Sequence, residues 1–473
     1  MATAISAAMA TATAFIDEGH IHSLLEKAAH PSTVHAREII DRARATRGLS
    51  PEEAAVLLQV EDPEVLGEML TAASEVKEAI YGKRIVLFAP LYLSDFCVND
   101  CVYCGYGHSR KFARRRLSQR EIANEVRVLE SMGHKRLALE AGEDPVNCPI
   151  DHVLDSIRTI YAVHEKNGNI RRVNVNIAAT TTENYRKLKT AGIGTYVLFQ
   201  ETYHRETYRR MHPTGPKADY DWHTLAMDRA MASGIDDVGL GVLFGLHDFR
   251  FEVLALLLHA RRLEEVFGVG PHTISVPRLR PASGVPLDGG AFPYLVTDDE
   301  FRRLVAVIRL AVPYTGMILS TREESGFRDE VIRYGISQVS AGSCTGVGGY
   351  HEEHENAESP QFEVGDRRSP NEVLQSLCHA GYIPSYCTAC YRKGRTGDRF
   401  MAFAKGGQIQ NVCQPNAILT FQEYLLDYAD AATRVVGEET IREHLAQIPR
   451  EKTRVETVAR LERIKAGELD LYF

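Results

Sequence analysis

Nine cysteines stand in the 473-residue chain, and six of them fall into two tight groups. The first reads Cys97-Val-Asn-Asp-Cys101-Val-Tyr-Cys104, a C-x3-C-x2-C spacing. Three thiolates can hold three irons of a 4Fe–4S cubane, and the missing fourth leaves one iron open. An open iron can chelate the amino and carboxylate groups of a methionine-type ligand, whose C–S bond then breaks on electron transfer. The alternative is a structural zinc with His108 as fourth ligand, but such sites fill all four positions and usually add a distant second pair. The second group is Cys387-Thr-Ala-Cys390 with Cys413, a C-x2-C-x22-C spacing. A zinc ribbon would want a second C-x2-C, and only Cys378 lies nearby. Two groups of three thus point to two clusters, each with one open iron. Cys148, Cys344 and Cys378 lack ligand spacing and read as small buried hydrophobes. An odd cysteine count in a long, unsecreted chain also argues against a disulfide framework.

Other polar clusters invite chemistry less strongly. His351-Glu352-Glu353-His354-Glu355 follows a Gly-Gly pair and reads as a solvated loop. The basic run 111–116, KFARRR, reads as a solvated loop-to-helix face rather than a docking patch. His272, taken alone, reads as a satisfied core histidine. Arg322 could grip a carboxylate with its planar fork, or simply pair with Glu323 or Glu324.

The elements that must hold these residues alternate. Strand runs are expected at 84–92, 135–141, 172–178, 195–201, 238–244, 272–278, 316–321 and 336–342, with helical stretches between them. Many of the strand runs are apolar on both faces, as strands of a helix-covered parallel sheet should be. Eight βα units in a row predict an α/β fold, a closed (β/α)8 TIM-type barrel. Its chemistry belongs at the C-terminal strand ends, and Cys97 follows the first strand directly. Residues 1–80 form an N-terminal segment of helices, where Ser50 caps a helix with Pro51 at its first position. The barrel is expected over 81–344, and 345–473 as a mainly helical C-terminal iron–sulfur domain, with FQEYLLDYADAATRVVG as one of its helices.

Bulk composition narrows the classes. Lys and Arg total 55 against 63 for Asp and Glu, a net charge of -8, so no basic footprint for nucleic acid is present. No run reaches the length of a transmembrane helix. The first fifteen residues are small and apolar without Lys or Arg, unlike a secretory signal or transit peptide. A cytoplasmic protein with neither membrane nor nucleic-acid partner is expected.

The cysteine loop at the end of a first barrel strand, with Tyr103 beside its last cysteine, resembles the radical S-adenosylmethionine (SAM) superfamily. Ala141-Gly142-Glu143-Asp144 ends the second strand run, where that superfamily places a GGE-like turn that meets the SAM amino group; here Ala141 replaces the first glycine. The segments QETYHRETYRRMHPTGPKADYDWH (200–223), DDVGLGVLFGLHDFRFE (236–252), GPHTISVPRLRPA (270–282), ILSTRE (318–323) and CTACYRKGRTGDRFM (387–401) resemble the tyrosine lyases that mature FeFe-hydrogenase. Tyrosine lyases of thiamine thiazole synthesis share the barrel motifs and lack the C-terminal cysteine triad.

The resemblance implies specific roles. Cys97, Cys101 and Cys104 would ligate the SAM-cleaving 4Fe–4S cluster, and Tyr103, Gly142, Glu143, Gln200 and Glu201 would lie against the cofactor. Cys387, Cys390 and Cys413 would hold an auxiliary 4Fe–4S cluster with an additional labile iron ligated by His272, placed on the sixth strand. Ser320 and Arg322 would fix L-tyrosine. The reaction implied is cleavage of the tyrosine Cα–Cβ bond to p-cresol and dehydroglycine, then formation of carbon monoxide and cyanide for an iron–carbonyl–cyanide precursor. Expected partners are a reductant such as ferredoxin or flavodoxin and other hydrogenase maturation proteins. A thiamine-branch lyase making 2-iminoacetate, or a non-catalytic iron–sulfur carrier, are the competing readings.

Overall fold

The computed structural model describes residues 13–282, 285, 287, 290–351, 360–406 and 409–473. All eight expected strands are present: β1 (Arg84–Ser94), β2 (Arg136–Ala141), β3 (Arg172–Asn176), β4 (Tyr196–Val197), β5 (Val238–Gly241), β6 (Thr273–Ser275), β7 (Gly316–Leu319) and β8 (Gln338–Ser340). They are hydrogen-bonded in parallel in chain order, and β1 pairs with both β8 and β2, which closes the barrel. The regular part of β4 is shorter than its run, yet the ladder continues: Leu198 and Gln200 donate to Gly239 and Gly241. It ends at Glu201, whose φ of 68° is a left-handed conformation rare outside glycine.

Helices cover the barrel with their apolar faces inward, and their starts follow local chemistry. Ser50 and Glu53 form a capping box with Pro51 at the first position, as expected. Ser118 with Glu121 and Thr297 with Glu300 do the same for Gln119–Ser131 and Asp298–Ala311. Buried Arg309 donates to the carbonyls of Pro313, Thr315 and Gly335, tying together the segments that enter β7 and β8.

Two features depart from the sequence reading. A ninth strand, β9 (Ile383–Ser385), lies parallel to Arg84–Val86 in the lower half of β1. Its three residues centre on Pro384, which donates nothing to a ladder, so no strand signal preceded it. The segment FQEYLLDYADAATRVVG is not one helix. It is the end of Ile409–Asp427 and the start of Ala431–Ala446, because the Asp430 side chain accepts from the Thr433 N–H and caps a new helix.

The C-terminal stretch folds back under the barrel. Arg171 is buried between Glu423 (2.8 Å) and Asp470 (3.0 Å). The Phe473 N–H donates to Asn416 at 2.7 Å, while its carbonyl accepts from Arg395 at 2.7 Å.

Candidate active site

The first cysteine loop leaves β1 at Ser94. Asp95 accepts from the Arg115 N–H at 2.6 Å, and the Arg114 guanidinium donates to the carbonyls of Asp95, Tyr106 and Gly107. The basic run is therefore only partly solvated: Arg114 turns inward and clamps the loop, and Arg116 donates to Asn147 from the surface. Glycine is required at 142, because a Cβ there would lie 2.4 Å from the Phe96 carbonyl oxygen. That close approach seats the end of β2 against the loop.

Cys97, Cys101 and Cys104 line one cavity with Tyr103, Gly142, Glu143, Glu201, Asn99, Lys217 and His223. The Tyr106 N–H approaches the Cys104 Sγ at 3.4 Å, and the Asn99 amide approaches Cys97 Sγ at 3.8 Å. Such donors tune sulfur ligands. Burial pushes the Cys104 thiol up to about 11 and raises Cys101 further, so both wait for a cation to take up the thiolate. Asn99 donates to Glu143 at 2.6 Å. Glu201 accepts from Lys217 Nζ at 2.8 Å. Burial works against the Lys217 charge, yet Glu201, Cys101 and Cys104 hold the amine above the ordinary lysine range. Tyr103 donates to or accepts from His212 at 2.9 Å. Gln200 is not brought into the cavity: its amide donates to Thr224 at 2.9 Å within the packing outside.

The cavity opens into the barrel axis through Glu140, Asn176, Phe199, Arg322 and Gln361, which line both spaces. Ser320 lines the interior beside Arg322, its hydroxyl 3.4 Å from the Arg322 N–H. The Arg322 guanidinium lies 3.4 Å over the Phe362 ring and enters no ion pair among the described residues. Glu323, the alternative partner, is instead bound by Arg278 and Arg280 at 2.5 Å each. Burial pushes the Glu140 carboxyl up to about 8, with Asn176 and Arg322 working in the opposite direction.

The second cysteine group sits at the opposite, N-terminal end of the barrel. Cys387 and Cys390 follow β9, Cys413 comes from Ile409–Asp427, and all three line a cavity with Arg84, Arg136, Asp237, His272, Tyr391 and Arg395. Gln338 lines this cavity and the barrel interior alike, so the three spaces run in sequence down the axis. His272 stands just ahead of β6 rather than within it, its N–H bonded to Val238 and its carbonyl to Gly316. Its Nδ1 is 3.5 Å from Asp237 Oδ1 and its Nε2 is 3.5 Å from the Tyr391 hydroxyl. Burial lowers its basicity, which keeps the imidazole neutral as a metal ligand requires. A hydrogen bond with Cys390, helped by Arg84 and Arg395 against burial, holds the Cys413 thiol below its ordinary range. Among the described residues no three His, Cys, Asp or Glu groups are close enough to share one metal ion. A cubane asks for the wider arrangement, with each thiolate on its own iron. Cys148, Cys344 and Cys378 are buried elsewhere, as expected. The 351–355 cluster lies, after His351, outside the described residues.

Asn99, Glu140, Asn176, Lys217, Asp237, Arg84 and Arg136 escaped the sequence reading. The signal for some was available: Glu140 and Asn176 are polar residues at or next to the C-terminal ends of β2 and β3, where the chemistry of such a barrel belongs.

A closed parallel barrel with a three-cysteine loop after its first strand and acidic strand ends beside it defines a radical SAM enzyme. Residues 91–258 match the model of the Radical SAM superfamily, and 275–383 match that of the Biotin and Thiamin Synthesis associated domain. A crystal structure of HydG, a maturase of the FeFe-hydrogenase, superposes with a TM-score of 0.94 at 64% identity, covering 97% of this chain and 100% of that one. The FeFe-hydrogenase maturase HydG from Carboxydothermus hydrogenoformans gives 0.82 at 38% identity, covering 94% and 98%. The 2-iminoacetate synthase of Escherichia coli (strain K12) is 34% identical over 347 residues, 73% of this chain and 89% of that one. The chain belongs to the radical SAM superfamily and, within it, to the group of carbon–carbon lyases that holds HydG and 2-iminoacetate synthase. Membership implies a 4Fe–4S cluster and SAM. No helix among the described residues is long and apolar enough to cross a membrane.

Proposed function

We propose that this enzyme cleaves the Cα–Cβ bond of L-tyrosine to p-cresol and dehydroglycine, and that the two-carbon fragment yields carbon monoxide and cyanide at a second cluster, for an iron–carbonyl–cyanide precursor of the FeFe-hydrogenase active site. The observation that carries this reading is the run of cavities joining two cysteine triads at opposite ends of one barrel. A thiamine-branch lyase, which stops at 2-iminoacetate, would have no use for the lower triad.

Cys97, Cys101 and Cys104 would hold a cluster that, with SAM bound, would supply a 5′-deoxyadenosyl radical. Around it, Glu143, Glu201 and Asn99 offer polar groups to the cofactor's amino acid and ribose. Arg322 grips the tyrosine carboxylate with its planar fork, oriented by the Phe362 ring it stacks on. Ser320 and the neutral Glu140 border the same space. The apolar walls, Phe88, Phe199 and Ile318 among them, exclude water from a radical that would otherwise be quenched. At the lower end Cys387, Cys390 and Cys413 would hold the auxiliary cluster, with His272 as ligand of an additional labile iron. A ferredoxin- or flavodoxin-type reductant, the other hydrogenase maturation proteins and a cytoplasmic setting complete the reading.

The test is anaerobic turnover of cluster-reconstituted enzyme with SAM, dithionite and tyrosine. p-Cresol, 5′-deoxyadenosine, cyanide and carbon monoxide should all appear. p-Cresol and 5′-deoxyadenosine without the two diatomic products would favour the thiamine-branch reaction, and a fully iron-loaded sample giving no 5′-deoxyadenosine would defeat the proposal.

A further inference from the structure

The lower cavity holds more positive charge than its own carboxylate can match. Arg84, Arg136 and Arg172 are the first residues of β1, β2 and β3, so three guanidiniums gather round the N-terminal mouth of the barrel. Arg172 is engaged, stacked 3.6 Å over Tyr391 and bonded to the carbonyls of Gly192 and Ile193. Arg136, 7% exposed, donates once to the Cys387 carbonyl at 3.0 Å and leaves its Nε without a partner. Arg84, 9% exposed, has no hydrogen-bond or ion-pair partner among the described residues, and its Nε is buried. Asp237 is the one carboxylate among the described lining residues, and it accepts from the Gly397 N–H at 2.9 Å with His272 beside it. A buried guanidinium without an anion is costly, so this arrangement is built to receive negative charge.

Two anions could bring it: the thiolate cluster itself, or a free carboxylate. The fork of a guanidinium matches a planar carboxylate, whereas a diffuse cluster charge is served by any nearby cation or backbone N–H. The cavity also continues past Gln338 to Arg322, so a fragment that keeps the tyrosine carboxylate has a path from one guanidinium to the next. We infer that Arg84 and Arg136 form a carboxylate-binding subsite at the lower end of the channel, which receives the two-carbon fragment by its carboxylate. The inference rests on the lyase reading above and adds to it a second docking point for the same group.

The probe is glyoxylate, a stable two-carbon α-oxo acid, titrated calorimetrically into cluster-loaded full chain carrying Arg322→Met, which blanks the upper subsite. Binding is expected, and adding Arg84→Gln or Arg136→Gln should weaken it by about tenfold or more. In turnover, Arg84→Gln alone should keep its p-cresol while the escaped imine hydrolyses to glyoxylate and ammonia in solution, at the expense of cyanide. Arg84→Lys, which retains the charge and loses the fork, should recover only part of the binding; it also serves if the glutamine variant fails to fold. Unchanged glyoxylate affinity in both arginine variants overturns the subsite. So does unchanged affinity combined with loss of second-cluster iron and its paramagnetic resonance signal, which would assign the arginines to the cluster. Failure of the wild-type enzyme to make p-cresol would sink the lyase reading instead, and the calorimetry would still decide the subsite.

Discussion

Arg322 and Glu140 line the same two spaces of the barrel, and their protonation states set what the upper site can hold. With its carboxyl pushed up to about 8, Glu140 is neutral at pH 7 and leaves Arg322 free for a substrate carboxylate. Above that pH an ionised Glu140 competes for the guanidinium. The p-cresol rate should therefore fall through an alkaline limb near pH 8 that Glu140→Gln removes, and identical limbs in the two proteins would refute the competition. The same shift has a stability sign. The folded state holds this proton more tightly than the unfolded chain, so the site costs nothing below the ordinary value of 4.5 and destabilises progressively as pH rises towards about 8. Arg322→Lys keeps the charge and loses the fork, so kcat/KM for tyrosine should drop by roughly 10- to 100-fold, read from p-cresol formation. The cysteines were legible from the chain because their chemistry is written in local spacing. Glu140, Lys217 and Arg84 were not, since each acquires its meaning from a neighbour distant in sequence, and Gln200 shows a motif residue whose side chain turns outward to Thr224.

Strands and helices put these groups in place, and their legibility follows their length. Eight alternating runs identified the barrel, whereas β9 has three residues, one of them proline, and carries no periodicity to detect. The break at Asp430 was hidden by apolar spacing that continues across it, although the aspartate that caps the new helix stood in plain view. Gly142 and Phe96 approach closely enough that a Cβ at 142 would lie 2.4 Å from the Phe96 carbonyl oxygen. Gly142→Ala must push the cysteine loop away from β2, at a cost of about 1–3 kcal/mol. Both a lower Tm in thermal unfolding and weaker iron retention at the first triad are expected; a variant with unaltered Tm and iron content would mean the loop yields freely.

Over the whole molecule the two triads occupy opposite ends, and this was beyond the sequence, because only the packing of Ile409–Asp427 and β9 beneath the barrel brings Cys413 to Cys387 and Cys390. The chemistry proposed at the N-terminal face would also run against the general placement of active residues in such barrels. The separation predicts independent failure. Cys413→Ala should retain p-cresol formation within about twofold, given sites too far apart to share partners, and abolish cyanide and carbon monoxide. Parallel loss of p-cresol in a folded, iron-loaded variant would show that the ends are energetically linked.

One strand touches both ends. The upper end of β1 runs into the first cysteine loop, and its first residues bond to β9, which leads directly to Cys387. Eleven residues of extended chain at about 3.3 Å each make a ruler of roughly 36 Å, set by covalent geometry. Neither end can approach the other without tearing parallel ladders on both sides of that ruler. Under the proposed function, traffic between them would be diffusion over a constant path, with the transit time of a fragment governed by what lines the bore. Widening or narrowing that bore at Gln338 would then retime the second reaction while leaving both chemistries as they are.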